Sequence, residues 1–516
     1  MLSTFARAPR LQRSQSTSVA APIGGWNARD ALGAMDKLDA VVLQNFWPAT
    51  TDVRLRNGYT QFATGITGQV ESLLAYSSGT ADTLFAAATT KVYDVTAGGA
   101  VGAASLTGLT NARWESVNIT TTANSYLMMV NGADKLRTWT GSAWAKDGDG
   151  APYDITNVDT ATCTNITLFK NRIWLLQTGT LKAWYLPINS IGGAAAALDM
   201  TSLAQEGGYL VAAAPWTLDA GYGMDDYLTF ITSNGEVLVW RLTDPTTPTG
   251  IALIGVYKLG SPIGKRCMMK YAGDLLIITQ DGIVPMASGL QSSRLDPRIN
   301  ITDKIQFAVS QAISSYSSNF GWQMAYFAKE NQLYLNVPVS EGTSQQQYVM
   351  NTINKSWCNF TGWNANTVQV FNDLLYFGGN GFVAKAWNGN VDDVNNIETF
   401  GLQSFQYYGS STEKQCKMIR PHIQTNGSPA IYGNVNVDYD LSDTTAQLSY
   451  AAITAGTWDT SVWDTGVWGS DLVSQAEWQG ATGIGFCFAP VLKTASQGYN
   501  IRWVATDMVF EAGGVL

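Results

Sequence analysis

The residues best suited to chemistry are few and scattered. One histidine, His422, sits in Arg420-Pro-His-Ile. A single imidazole cannot build a His-rich zinc site, and triad chemistry would rest on it alone. No Gly-x-Ser-x-Gly elbow and no Gly-x-x-x-x-Gly-Lys-Ser/Thr loop occurs. Carboxylates act without histidine in glycoside hydrolysis. The candidates are Asp225 with Asp226, Asp392 with Asp393, and the group Asp438, Asp440 and Asp443. Adjacent aspartates on a strand point to opposite faces and do not pair as acid and base. Asp438-x-Asp440 offers oxygens to calcium, yet no glycine-containing loop or bidentate Glu follows at the required spacing. Cys163, Cys267, Cys358, Cys416 and Cys487 are far apart, odd in number and never Cys-x-x-Cys. They read as buried small hydrophobes of a chain made in a reducing cytoplasm. The expectation is a non-enzymatic chain with no catalytic residue, no cofactor and no metal.

Two clusters suit contact better than catalysis. Arg7, Arg10 and Arg13 form a basic tail with no acidic residue before Asp30, either a solvated arm or one that docks on an acidic neighbour. Trp458, Trp463 and Trp468 recur at a five-residue step that matches neither strand nor helix, with Trp478 beyond. Local packing or a subunit interface is the leading reading of these rings, and stacking on a glycan the second.

The elements that position such residues are strands. Hydrophobic residues make up 46% of the 516-residue chain and charged residues 14%, well under the roughly 25% of an average soluble domain. Fifty glycines, 18 tryptophans and 22 tyrosines fit many turns between short aromatic strands. Disorder is excluded by the aromatics, and a net charge of −9 argues against gripping nucleic acid. No apolar run of signal-peptide or membrane-spanning length appears, so a soluble protein without secretion signal is expected.

Hairpin-like units recur along the chain, each a strand entered through Asp, Asn or Lys, a turn, and a strand often ending in Trp or Tyr. Aligned on the apolar residue after the start, they fall at Leu84, Leu127, Ile173, Leu228, Leu275, Leu333 and Leu375. Propeller blades of well-known families repeat at about 40–50 residues, so the spacing predicts an all-β chain built on a β-propeller of six to eight blades. Two stretches look inserted: 190–222, which includes the run Ala194–Ala197 and one short helix, and 302–317, an amphipathic helix with Ile305, Val309 and Ile313 on one face and Thr302 or Asp303 as cap. After about residue 398, alternation in Ile431–Tyr439 and Tyr499–Val504 predicts a β-sandwich-like domain. The expected divisions are 1–65, an N-terminal arm leading into the propeller; 66–398, the propeller with its insertions; and 399–516, the C-terminal β-domain.

Three stretches resemble a family of short-tailed bacteriophage (podovirus) virion proteins described as tail hub, tail nozzle or DNA-stabilisation protein. The first is Gly24-Gly-Trp-Asn-Ala-Arg-Asp-Ala-Leu-Gly-Ala-Met35, continued by Asp39-Ala-Val-Val-Leu-Gln-Asn-Phe-Trp-Pro48 and Val53-Arg-Leu-Arg-Asn-Gly-Tyr59. The second runs from Gly207 through Trp216–Asp226, Phe230–Trp240 and Gly255–Arg266 to Gly282, and the third is Gly498–Leu516. The resemblance implies a subunit of a virion tail, synthesised in the host cytoplasm and assembled as a ring, usually a hexamer. Its implied partners are its own copies, tail adaptor and portal-proximal proteins, tail fibres, and DNA passing through the channel without sequence-specific binding. Genome release would be gated there, and an acidic channel would let DNA slide. In the alternative reading the chain is a receptor-binding tail protein recognising a host surface glycan, and in a weaker one a polysaccharide-degrading propeller enzyme.

Overall fold

The computed structural model describes residues 14–219, 224–289, 297–450 and 472–512. The chain folds as two compact units, residues 59–350 with 361–388, and residues 1–58 with 351–360 and 389–516.

The first of these units is a run of antiparallel sheets. Residues 70–77 pair with Asp82–Ala88, which pairs with Lys91–Asp94. A second sheet follows in the order Glu115–Thr120, Ser125–Val130, Arg137–Trp139, Trp144–Lys146, and a third in the order Cys163–Phe169, Arg172–Gln177, Lys182–Tyr185, Ala196–Asp199. The fourth holds Leu210–Asp219, Met224–Thr232, Glu236–Leu242 and Ile251–Lys258; the fifth Met268–Tyr271, Asp274–Thr279 and Gly282–Pro285. Gln323–Phe327, Gln332–Ser340 and Ser344–Asn351 make the sixth, and Thr367–Phe371, Leu374–Gly378 and Asn380–Ala386 the seventh. The seventh is completed by the start of Tyr59–Ser77, with Tyr59 opposite Ala386.

The first strand of each sheet touches the first strand of the next, and Thr367–Phe371 touches Tyr59–Ser77, so the circuit closes on itself. The arrangement is propeller-like and mostly β. The seven residues used to align the repeats all fall on the second strand of their sheets, each no more than 1% exposed. A period-2 strand in a stack of sheets buries its large apolar residues against both neighbours, which is why Leu and Ile recur there. Aromatic residues fill the space between sheets, as where Trp174 meets Phe230 at 6.1 Å.

The helix expected near 302–317 forms as a 3-10 turn, Asp303–Ile305, running into Gln306–Tyr316, with Ile305, Val309 and Ile313 buried. Thr302 does not cap it. Its hydroxyl instead accepts the Ile283 N–H at 3.1 Å. The helix expected within 190–222 is absent from the described part of that stretch, where Ala196–Asp199 is the outer strand of the third sheet. Four alanines are too few to nucleate an isolated helix, and an open sheet edge takes them.

In the other unit, Ile501–Ala512 pairs with Gln15–Ala20 and with Lys414–Thr425. Lys414–Thr425 carries Val473–Gln475 and Gln479–Gly485 on its other side. Val53–Leu55 joins Ile501–Ala512 and Phe46–Pro48. A second sheet runs Trp357–Phe360, Asp39–Gln44, Ile397–Gln403, Phe488–Ser496, Ile431–Val437. The two meet where Phe488 lies 4.8 Å from Phe510, and within the first sheet Phe46 lies 6.3 Å from Trp503. The residues after Gly24 pack closely here. Gly25 has φ +80°, and a Cβ on Gly58 would fall 1.8 Å from the Val391 carbonyl oxygen, so any side chain there forces the backbone apart.

Candidate functional site

Every sheet of the propeller-like unit sends its first strand to one polar cavity of about 290 Å³, lined from Leu74 in the first sheet to Gln369 in the seventh. Two cations enter it side by side, Lys265 and Arg266. They follow Gly264, whose φ of +72° turns the chain inward before Met268–Tyr271.

Arg266 lies just before the first strand of the fifth sheet, yet its side-chain partners lie on or beside the first, second and seventh. Its Nε donates to Glu115 at 2.8 Å. Nη1 donates to the Glu71 carbonyl and the Thr367 hydroxyl, both at 3.1 Å, and Nη2 to the Ser72 hydroxyl at 2.7 Å and the Trp114 carbonyl at 2.9 Å. In a closed circuit those sheets lie across the axis, so the guanidinium is a crossbar. Phe320 packs against it at 5.2 Å and against Arg113 at 4.3 Å. Arg113 in turn pairs with Glu71 and Glu341. All five donors of Arg266 are used, as a nearly buried guanidinium requires.

Lys265 differs from its neighbour: among the described residues its amine has no ion-pair or hydrogen-bond partner. The residue is exposed as a whole, yet partial desolvation beside the protein lowers its pKa, Glu115 opposes that shift, and Arg113 and Arg266 add to it.

His422 is half-buried, and its Nε2 lies 2.8 Å from Asp507 Oδ2. Arg420 Nε donates to the same oxygen at 2.9 Å, and Ser18 also bonds this carboxylate. A serine here meets the carboxylate and not the imidazole, so the order of a nucleophilic triad is not met. Arg420 also stacks over Trp478 at 4.7 Å. Burial alone would raise the Asp507 pKa, but the bonds from His422, Ser18 and Arg420 outweigh it and hold it at about 2. The depressed value stabilises the fold fully above the unfolded carboxylate pKa of about 4, and that contribution is lost as pH falls through 2. It amounts to roughly 2 kcal/mol. Asp507→Asn is therefore expected to unfold at lower urea than wild type at pH 7 and at nearly the same urea near pH 2. A gap that does not narrow with acid would refute this.

The other carboxylates are separately engaged. Asp226 pairs with Lys170 at 3.4 Å and accepts from Thr217. The side chain of Asp225 lies outside the described residues. Asp392 is buried against Arg56, and Asp393 sits at a turn with φ 57°. Asp438 accepts the Phe486 and Cys487 N–H groups, Asp440 binds the N–H and hydroxyl of Ser442, and Asp443 pairs with Lys493. No three His, Cys, Asp or Glu side chains come together in a metal-holding group among the described residues. All five cysteines are buried free thiols. Burial pushes Cys163, Cys267 and Cys416 up to about 12, so they stay protonated. Arg7, Arg10, Arg13, Trp458, Trp463 and Trp468 lie outside the described residues.

No family model matches this chain, and no curated protein matches it. Among solved structures it is similar to the extracellular domain of a putative one-component system from B. thetaiotaomicron, at 10% identity and TM-score 0.41, covering 80% of this chain and 59% of that one. It is also similar to BBS1N, crystallised in complex with ARL6DN, at 9% identity and TM-score 0.39 over 64% of this chain and 96% of that one. A third likeness is to the Swd1 β-propeller domain of Myceliophteria thermophila, at 15% identity and TM-score 0.36, over 62% and 98% of the two chains.

Proposed function

We propose that this chain is a non-enzymatic structural subunit of a short-tailed bacteriophage tail, a hub or nozzle component that assembles as a ring around the DNA exit channel. In finer detail the reading is a seven-bladed propeller joined to a β-sandwich-like unit. The observation that carries it is the use made of the residues quoted for the tail-protein resemblance. Asn27 donates to Asp39 at 2.7 Å, both buried. Arg56 donates to Asn45 at 2.8 Å, and Gly25 and Gly58 stand where no side chain fits. Those residues are parts of one packed unit, which supports reading them as a structural signature.

The axial cavity of the single chain is far too small for duplex DNA, whose major groove alone is about 12 Å wide, and Arg266 crosses it. In this reading DNA therefore passes between ring subunits. Exposed apolar residues in the sandwich-like unit, Tyr407, Tyr439, Ile484 and Phe486, favour burial against neighbours. They equally suit stacking on a glycan, the second reading.

A symmetry-resolved cryo-EM map of tails carrying this protein tests the proposal. The expected result is a continuous axial ring of propeller-shaped subunits. Density confined to peripheral spikes would overturn it in favour of glycan recognition.

A further inference from the structure

The geometry points to the axial cavity as a binding site for a small oxyanion, phosphate in its simplest form, held by the Lys265 ammonium with the Asn165 amide and the Ser116 and Thr167 hydroxyls. This inference is independent of the tail reading, since it uses only the propeller-like unit.

Charge is the first argument. The cavity is lined by two cations and one anion, Lys265, Arg266 and Glu115. Glu115 is committed to Arg266 at 2.8 Å, and the rest of that guanidinium is committed to Ser72, Thr367 and two backbone carbonyls. Among the described residues the lining cation without an ion pair is Lys265. Lys265 is exposed at the cavity, so its ammonium is open to an arriving anion, and a charge-assisted bond to it is stronger than one between neutral groups.

Donor supply is the second argument. Asn165 uses its carbonyl oxygen to accept the Ala213 N–H at 3.2 Å. Its amide nitrogen has no partner among the described residues, and neither do the Ser116 and Thr167 hydroxyls. All three residues line the cavity with Lys265. An ammonium with amide and hydroxyl donors matches an oxyanion that accepts on several oxygens. Size agrees, because about 290 Å³ lies at the lower end of small-ligand sites.

Arg266 also lines the cavity. Arg266 is already saturated, so it shapes the site without itself being available to the ligand.

The test is isothermal titration of the full chain with sodium phosphate at low ionic strength, with sodium chloride as the control titrant. The expected result is saturable one-site binding to phosphate that Lys265→Gln weakens at least tenfold and Thr167→Val several-fold. Both variants should keep the wild-type melting temperature in chloride. A second measurement on the unaltered chain avoids any folding ambiguity: reductive methylation of Lys265, followed by mass spectrometry, should be slowed by phosphate and not by chloride. Absence of saturation at about 10 mM phosphate, ten times a millimolar Kd, would overturn the proposal. So would undiminished binding by Lys265→Gln, or unprotected methylation. Displacement of phosphate by a thymidine tetranucleotide would overturn the restriction to a small ion and make the nucleic-acid backbone the source of the phosphate.

Discussion

Arg266→Met is expected to destabilise the propeller-like unit by about 3 kcal/mol, the low end of the cost of breaking a buried ion pair, since the side chains of Arg266 and Glu115 stay 10% and 21% exposed. Methionine matches the stem of arginine but provides none of its five donors, so Glu115, the Ser72 hydroxyl and the Glu71 and Trp114 carbonyls each lose a bond. These acceptors sit on or beside the first strands of the first and second sheets, where the circuit begins. Loosening them weakens the closure as well as the local pairing. Chemical denaturation, followed by tryptophan fluorescence, gives the free energy directly. A double variant, Arg266→Met with Glu115→Gln, should recover part of the loss, because the stranded carboxylate is then neutral. A single variant within about 1 kcal/mol of wild type would show that water replaces the crossbar at little cost.

Arg56→Met should cost the other unit a similar amount, about 3–5 kcal/mol. Arg56 is fully buried and holds Asp392 through two parallel bonds, Nη1 to Oδ1 at 2.8 Å and Nη2 to Oδ2 at 2.5 Å. Its Nε donates to Asn45 at 2.8 Å, and its plane lies over Phe360 at 5.6 Å. Lysine cannot reproduce that fork, so Arg56→Lys should rescue little of the loss. Asp392→Asn should be nearly as harmful as Arg56→Met. If the lysine variant were as stable as wild type, the bidentate geometry would carry no weight and charge alone would suffice.

Much of the propeller-like unit was legible in the chain. Each hairpin joins strands a few residues apart, so alternation, an entry Asp or Asn and a turn carry the signal within one short window. That is why Leu84, Leu127, Ile173 and their counterparts marked the sheets. The helix after Thr302 was legible for the same reason, its apolar face recurring at i, i+4 and i+8. The Ala194–Ala197 run misled because helix propensity is weak against a sheet edge that needs a strand. The site itself left only a faint trace: Lys265 and Arg266 are two adjacent cations in a chain poor in charge, directly before an apolar strand. Nothing nearby in sequence marks Glu115, Asn165 or Thr167 as their neighbours.

The sequence by itself determined the strand-rich composition, the rhythm of the hairpins and the small number of groups able to do chemistry. These depend on side-chain volume, backbone preference and residue type, all local quantities. The tertiary structure alone decided which strand closes the circuit, since Tyr59 pairs with Ala386. It also decided that Arg266 is satisfied by three distant sheets while Lys265 has no partner among the described residues, and that Ser18 and His422 share one carboxylate. Pairings between residues so far apart along the chain depend on the loop-closure entropy and burial of the whole unit. No short window of residues contains that information.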